Sequence, residues 1–443
     1  MSESSIRAAQ DPRDAAGSGS GGEHARQATV NSTVPKSFGE AFSAYRGRVR
    51  TGELGSLPAF LGILLLLLIF GIAKPDLVSA SNLISVIQNA AAPITLAMGL
   101  VFVLLLGEID LSAGVVGSAA AAFGAVFVQE HGVNWLIAIL LAIVFGTVCG
   151  IVMGALRSWF GIPSFVVTLA AFIAFQGVQQ FLTGANGKSM ANQPVIHDLD
   201  WGTLSKTGGW ILLVIAVLGY AAVKFFQRAD RARQNLPSEP LSVLLLRLGV
   251  MVVGGAVFVY VCNINEDTIG WQVREHLYLG GVPWPVPIIG VLTVIFTFVL
   301  SKTRYGRHVY AVGGNQEAAR RAGIPVRVVR TSVFAICSGL AAVSGMFLAS
   351  AYSSDASDTQ GLGNTLLLAV AAAVVGGTSL MGGRGRVMDA VLGGTALTIL
   401  AYGMSDLLSG NSSTQWEEII TGIVLLLAAG VDATSRHAGR ASG

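Results

Sequence analysis

Charge is scarce in this 443-residue chain, where charged residues make up only 12%, about half the share of an ordinary soluble domain. So little polar surface excludes a large soluble enzyme and a nucleic-acid-binding domain, which needs a basic face. Cysteine occurs three times, as Cys149, Cys262 and Cys337, far apart and in or beside apolar runs. No CxxC and no metal-ligand spacing arises, which excludes a disulfide scaffold and reads the three as small packing residues. The six histidines (His24, His131, His197, His276, His308 and His437) all fall in tails or loops. HExxH and GxSxG are both missing, so neither a catalytic constellation nor a metal site is predicted. Leu182-Thr-Gly-Ala-Asn-Gly-Lys-Ser189 imitates a phosphate-binding loop but has Leu182 where the first glycine is required. The chain therefore carries no nucleotide motor and no cofactor of its own. Also missing is the series of intramembrane charges that marks many proton-coupled pumps.

What remains is apolar: hydrophobic residues make up 53% of the chain, and glycine contributes 55 residues. Twelve apolar runs follow a polar start, at 57–73, 83–106, 111–128, 135–156, 163–181, 210–226, 241–261, 284–300, 329–351, 362–380, 387–408 and 416–431. Most reach the ~17–25 residues with which a helix crosses a bilayer. Strand-type alternation is absent, which excludes a barrel. The fold class is an all-α polytopic membrane protein. Residues 1–56 read as a disordered cytoplasmic tail, 57–435 as a transmembrane domain and 436–443 as a second cytoplasmic tail. Lys and Arg test the orientation. With both termini inside, the inner loops hold fourteen: Arg157, Lys224, Arg228, Arg231, Arg233, Lys302, Arg304, Arg307, Arg320, Arg321, Arg327, Arg330, Arg384 and Arg386. The outer loops hold four: Lys74, Lys188, Lys206 and Arg274. That bias supports twelve crossings with both termini in the cytoplasm. Two outer loops are long, 182–209 and 262–283, and the inner loop 301–328 is too long for a plain connection, which predicts structure of its own.

Lipid is as apolar as leucine, so helices must associate through close approach and polar contacts. Gly146-x3-Gly150-x3-Gly154 and Ala341-x3-Gly345-x3-Ala349 each set small residues along one helix face, and Gly376-Gly377 and Gly393-Gly394 add further points of approach. Two features predict broken helices: Pro93 within the second run, and Gly107-Glu-Ile-Asp-Leu-Ser112 between the second and third. Glu108 and Asp110 would each cost at least ~2.5–3.5 kcal/mol bare at a helix centre, so they must meet water, a partner or an interface. Asp110 is placed to cap the helix that Ser112 begins. Asp389, Asp406 and Asp432 lie near helix ends, Asp389 one turn from Arg386. Gln88, Asn89, Gln176, Gln179-Gln180 and Asn364 are neutral polar groups in or near runs, able to bond a sugar hydroxyl or to join helices.

The inner loop reads Thr303-Arg-Tyr-Gly-Arg-His-Val-Tyr-Ala-Val-Gly-Gly-Asn-Gln-Glu-Ala-Ala-Arg-Arg-Ala-Gly-Ile324. It resembles the cytoplasmic loop of the ribose/xylose/galactose family of ABC-importer permeases, with its T-x-x-G-R…A-x-G-x-N-x-x-A-A-x-x-x-G-I pattern. Gly107-Glu-Ile-Asp-Leu-Ser112 is similar to the same family's G-G/E-I-D-L-S stretch. Gly376-Gly-Thr-Ser-Leu-Met-Gly-Gly-Arg-Gly385, with Gly382 and Gly383, resembles its third recurrent stretch. The resemblance covers roughly residues 57–435. Within the loop, Asn315 is a natural N-cap for a short helix, acidic Glu317 suits its first turn, Arg320 and Arg321 its end, and Gly323 its stop. The family often has acidic residues at Leu366 and Leu368 and a small residue at Asp389.

The resemblance implies a permease subunit without catalysis of its own. Its coupling helix, with Gly314, Asn315, Glu317, Ala318, Ala319, Arg320, Gly323 and Ile324, would seat in a separate cytoplasmic ATPase that binds the ATP. An extracytoplasmic binding protein would deliver a monosaccharide, and a second permease copy would complete the pathway. The common form has ten spans; the extra pair, about 210–261, matches the longer xylose-type form and favours a pentose. Without that pair, spans 2–5 and 9–12 enter from opposite sides, as inverted repeats do. The competing readings are an ion-coupled secondary transporter, which needs intramembrane coupling residues, and a membrane-embedded enzyme, which needs a metal or nucleophile cluster.

Overall fold

A computed structural model describes residues 57–430 apart from short internal stretches, the longest being 265–279, 352–359 and 408–414. The two tails and the acidic group Glu266, Asp267 and Glu275 lie outside the described residues, as does Asp432, and so do the side chains of Asn364 and Asp406. The described chain is helical, with one isolated bridge between Thr203 and Pro283. In order the helices are α1 (Leu57–Ala73), α2 (Ala80–Leu105), α3 (Ala113–His131), α4 (Trp135–Trp159), α5 (Ser164–Thr183), α6 (Pro194–Trp201), α7 (Lys206–Arg233) and α8 (Leu241–Ile264). Then follow α9 (Pro285–Lys302), α10 (Arg304–Gly314), α11 (Gln316–Arg321), α12 (Val326–Ala351), α13 (Gln360–Gly376), α14 (Val387–Leu407) and α15 (Glu418–Leu427). Nine are long and apolar enough to cross a membrane, and three shorter apolar helices, within α1, α13 and α15, bring the described set to the twelve runs of the sequence.

The chain divides into two compact units, and among described residues the smaller falls within 213–256 and the larger within 57–212 and 257–430. In the smaller, Gly255 on α8 lies against the Leu213 side chain on α7. The larger is organised around α2 and α12. α12 packs along α4, α2 and α3, while α2 also packs against α13 and α14. The small-residue stripes make these seams. A Cβ on Gly146, Gly150 or Gly154 of α4 would collide with the backbone of α12 at Ser338, Phe334 and Thr331. Gly345 of α12 meets Gly117 of α3 backbone to backbone, and Gly393 of α14 meets Ala372 of α13. The three cysteines are free and buried.

α2 runs unbroken through Pro93, contrary to the break the sequence predicts there. Proline removes one backbone donor, but a membrane-spanning helix tolerates this where neighbours hold it. Pro93 and its neighbours on α2 are buried, with Ser344 of α12 on the Ala92 carbonyl and Gly394 of α14 against Ile94. The second predicted interruption is real: the chain turns between Leu106 and Ser112 before α3.

Candidate functional site

Residues 303–324 fold as two helices set on the ends of the bundle. Thr303 closes α9 and opens α10: its hydroxyl donates to the Val299 carbonyl at 2.6 Å and accepts from the Gly306 N–H at 3.2 Å. α10 is amphipathic and buries Gly306, Val309 and Val312. The Tyr310 hydroxyl donates to the Gly385 carbonyl at 2.8 Å, and the Tyr305 hydroxyl lies 2.9 Å from Ser332 Oγ. Burial pushes both phenols up from the ordinary tyrosine range, and nearby Asp389 adds to the effect at Tyr310. α11 then starts as its sequence dictates. The Asn315 side chain accepts from the Ala318 N–H at 2.9 Å, the cap that satisfies an orphan donor of the first turn. At the other end Gly323 adopts φ +80°, which only glycine takes without strain. Ala319 is buried and anchors the helix, while Gly314, Asn315, Glu317, Ala318, Arg320, Arg321 and Gly323 are exposed and Ile324 is half-buried. Glu317 reaches Arg320 and Arg321 at 3.4 Å, exposed pairs worth little in stability. The outward face of α11 is thus small in side-chain bulk near Ala318 and charged around it.

The three sequence stretches, far apart along the chain, meet beside this loop. The Gly383 N–H donates to the Leu105 carbonyl at 2.8 Å. Gly107 sits at φ +69°, where a Cβ would press the Met381 carbonyl at 3.2 Å. Gly382, at φ +83°, is enclosed by the backbone of Gly107, Gly313 and Leu105. Gly383 lies against Gly314, and Gly376 and Gly377 end α13 against the start of α14. Asp389 is buried and lies close to Arg386, whose charge acts on it. One oxygen accepts from the Arg386 backbone N–H at 2.8 Å and from the Thr378 hydroxyl at 3.2 Å. This links the start of α14 to the turn after α13. Of the leucines in place of family acids, Leu366 is buried and Leu368 half-buried.

The carboxylates of the α2–α3 turn are held differently. Asp110 Oδ1 accepts from the Ser112 N–H at 2.9 Å and the Ser112 hydroxyl at 2.6 Å. Asp110 thereby fixes the entry to α3; the Ser112 side chain makes no cap bond. Burial raises the Asp110 carboxyl above the usual carboxylate range, against the pull of Ser112. Glu108, 7% exposed, is gripped by two arginines that the sequence alone presents only as inner-loop charges. Arg157, on the last turn of α4, brings Nε to 3.0 and 3.1 Å from the two oxygens. Its terminal nitrogen lies 2.9 Å from Oε1. Arg330, on the first turns of α12, places Nε 3.0 Å from Oε1, close enough for an ion pair but off line for a hydrogen bond. The other end of the Arg330 guanidinium donates to Gln316 Oε1 on α11 at 2.9 Å.

At the opposite ends of α2 and α12 lies α6, a helix that the sequence presents only as part of a long loop. Gln88 donates to the Asp200 carbonyl at 2.8 Å, and the Asp200 N–H donates to Ser350 Oγ at 3.0 Å. Gln88 therefore joins helices. Asn89 is exposed and bonds its own helix at Ser85, and Gln176 is half-buried on α5. Among the described residues, no hydrogen bond links Gln88, Asn89 and Gln176 to one another. Among the described residues no cluster of His, Cys, Asp and Glu fit for a metal occurs.

Residues 82–429 match the family model described as "Branched-chain amino acid transport system / permease component". Among curated proteins, the chain is similar to the xylose transport system permease protein XylH of Haemophilus influenzae: 34% identical over 361 residues, covering 81% of this chain and 90% of that protein. The Escherichia coli K12 XylH is 31% identical, over 81% of this chain and 86% of that one. The ribose import permease protein RbsC of Escherichia coli K12 is 28% identical, over 84% and 92%. No solved structure matches the chain. With its apolar helices and this match over most of its length, the chain is a multi-pass membrane protein that belongs to this ABC-importer permease family, whose members are the non-catalytic membrane components of transport systems.

Proposed function

We propose that the chain is the permease subunit of an ATP-driven importer of a monosaccharide, a pentose such as xylose in first place. Residues 57–435 form the permease domain with the inserted pair 210–261, and both tails lie in the cytoplasm of a bacterial inner-membrane protein. Two copies enclose the pathway, an extracytoplasmic binding protein supplies sugar, and a separate ATPase receives α11 on each copy. ATP binding closes the ATPase pair, α11 moves with it, and access to the pathway switches sides. A neutral, weakly polar route suits a neutral sugar that must also leave.

The observation that carries this reading is the convergence of residues 105–112, 303–324 and 376–389 at one end of the bundle, with the capped α11 turned outward. The names of the XylH and RbsC relatives favour sugar over the branched-chain amino acids of the family description. Packing also favours the inverted repeat. Exchanging α2–α5 for α12–α15 turns the α2–α14 contact into α12–α4, α2–α13 into α12–α3 and α3–α4 into α13–α14, and all six occur.

The test is co-expression with the neighbouring ATPase. Ala318→Arg, on the exposed face of α11, and Asn315→Ala, which removes its cap, should each lower ATPase recovery in a detergent pull-down at least fivefold. Full recovery with both variants would refute the docking role. For the substrate, the partner binding protein should gain thermal stability with xylose or ribose and none with leucine; the reverse would assign an amino acid.

A further inference from the structure

We propose that Glu108 is the clasp through which motion of α11 enters the membrane-spanning helices, with Arg330 as the positioning residue between them. This rests on the reading of α11 as the docking helix. α11 has six residues and buries only Ala319, so apolar contact gives it little grip on the bundle. Its polar grip is Gln316, whose side-chain oxygen accepts from Arg330 at 2.9 Å. Arg330 belongs to α12, and its guanidinium spans from Gln316 at one end to Glu108 at the other. The Glu108 carboxylate also takes both oxygens' worth of Arg157 from α4. One carboxylate therefore joins the α2–α3 turn, the end of α4 and the start of α12, and through Arg330 it reaches α11.

Charge makes this junction conditional. Among the described residues, two guanidinium groups pair with the one carboxylate of Glu108. The like charges of Arg157 and Arg330 repel, and the Glu108 carboxylate between them offsets that repulsion. Directly along the same seam, Gly154 sits against Thr331 and the Thr331 hydroxyl lies 3.3 Å from Ser158 Oγ. From there inward α4 and α12 have no room to slide, so displacement at Arg330 carries both helices together. The α2–α3 turn, attached through Glu108, is also where Gly107 and Gly383 tie in the third stretch. A pull on α11 thus reaches both halves of the bundle at one point.

The test uses the full complex of permease and ATPase in nanodiscs, with spin labels on Trp159 and Met388, both exposed at the inner ends of α4 and α14. The readout is the change in label distance when ATP is trapped with vanadate, alongside ATPase recovery. We expect Arg330→Gln to retain the ATPase while the vanadate-induced distance change falls at least threefold. Arg330→Lys should fall equally, because an ammonium restores charge opposite Glu108 but cannot span to Gln316. Gln316→Ala, at a half-exposed position, leaves the buried pairs intact and should still fall at least twofold; it carries the test if the Arg330 variants do not fold. An unchanged distance response in Gln316→Ala, or full rescue by Arg330→Lys, would overturn the clasp and leave a structural brace. No response in the wild-type complex would instead sink the docking reading of α11 itself.

Discussion

The α2–α12 core and the α7–α8 pair are built from similarly apolar helices and end in opposite surroundings. α2 is covered by protein almost throughout and α3 and α12 largely so, whereas α7 and α8 are almost bare among the described residues. Apolarity does not rank these helices by burial. α7 and α8 are both more apolar than α2 or α3, and α4, the most apolar of the nine, shows two thirds of itself to its surroundings. The physical reason is that lipid asks for leucine and valine, while protein neighbours ask for small residues and a few hydroxyls. Gly99, Gly117 and Gly345 sit in backbone contact in the core; Gly219, Gly249 and Gly254 of the pair have nothing within 4 Å. Glycine in the core is a packing device, and at these three positions of the pair it is only a weak helix former.

The largest effect should come from putting a side chain into that contrast. Gly150→Leu sets a branched group where the Phe334 carbonyl and the Ala335 Cα already stand. Backbone cannot step aside as a flexible side chain can, so the cost should exceed the ~1–3 kcal/mol of ordinary overpacking. Folded, monodisperse protein should be lost in fluorescence-detected size exclusion. Gly249→Leu on α8, where space is open, should leave yield and melting temperature unchanged or slightly raised. Equal tolerance at both sites would break the comparison.

A second effect separates the covered region by pH. Asp200 on α6 is buried against α2 and α12, and desolvation pushes its carboxyl up to about 7. Its folded-state pKa lies above the ordinary value, so the folded form holds a proton that the unfolded form has lost. Stability is then greatest at acid pH, declines as pH rises from about 4 toward about 7, and levels off above that. The decline approaches ~1.4 kcal/mol per pH unit at its steepest. Melting in detergent between pH 5 and pH 8 should show it, and Asp200→Asn should flatten the curve while keeping the backbone bonds to Gln88 and Ser350. A wild-type curve as flat as that of the variant would remove the buried acid from the account.

Much of this arrangement is legible in the chain itself. The twelve apolar runs correspond to twelve apolar helices, because hydropathy reports a bilayer directly. Asn315 and Gly323 mark α11 within a residue, because caps are local chemistry. The glycine stripes announce seams, although not which helix fills each. What is not legible depends on distance along the chain. Pro93 signals a break locally, yet α2 runs through it with α12 and α14 packed beside it. Arg157 and Arg330 look like inner-leaflet anchors until the fold brings both to Glu108. The one clue was that Arg330 lies just inside a run, where a charge calls for a partner. α6 hides because eight residues with two aspartates show no periodicity worth trusting.

The smallest effect probes the core through a single hydroxyl. Ser344 on α12 donates to the Ala92 carbonyl on α2 at 2.8 Å, next to Pro93 and fully covered. Thr293 on α9, by contrast, donates to Ile289 of its own helix at 2.7 Å. Ser344→Ala removes a bond between helices and leaves a void the size of one oxygen. Such bonds in membrane bundles are worth ~0.6 kcal/mol on average and up to ~1.7, so a melting shift of a few degrees is expected. Thr293→Val removes a bond that holds nothing to anything else, and its β-branched replacement keeps the shape; no shift should follow. If the two substitutions cost the same, hydroxyls do not distinguish a seam from a single helix here.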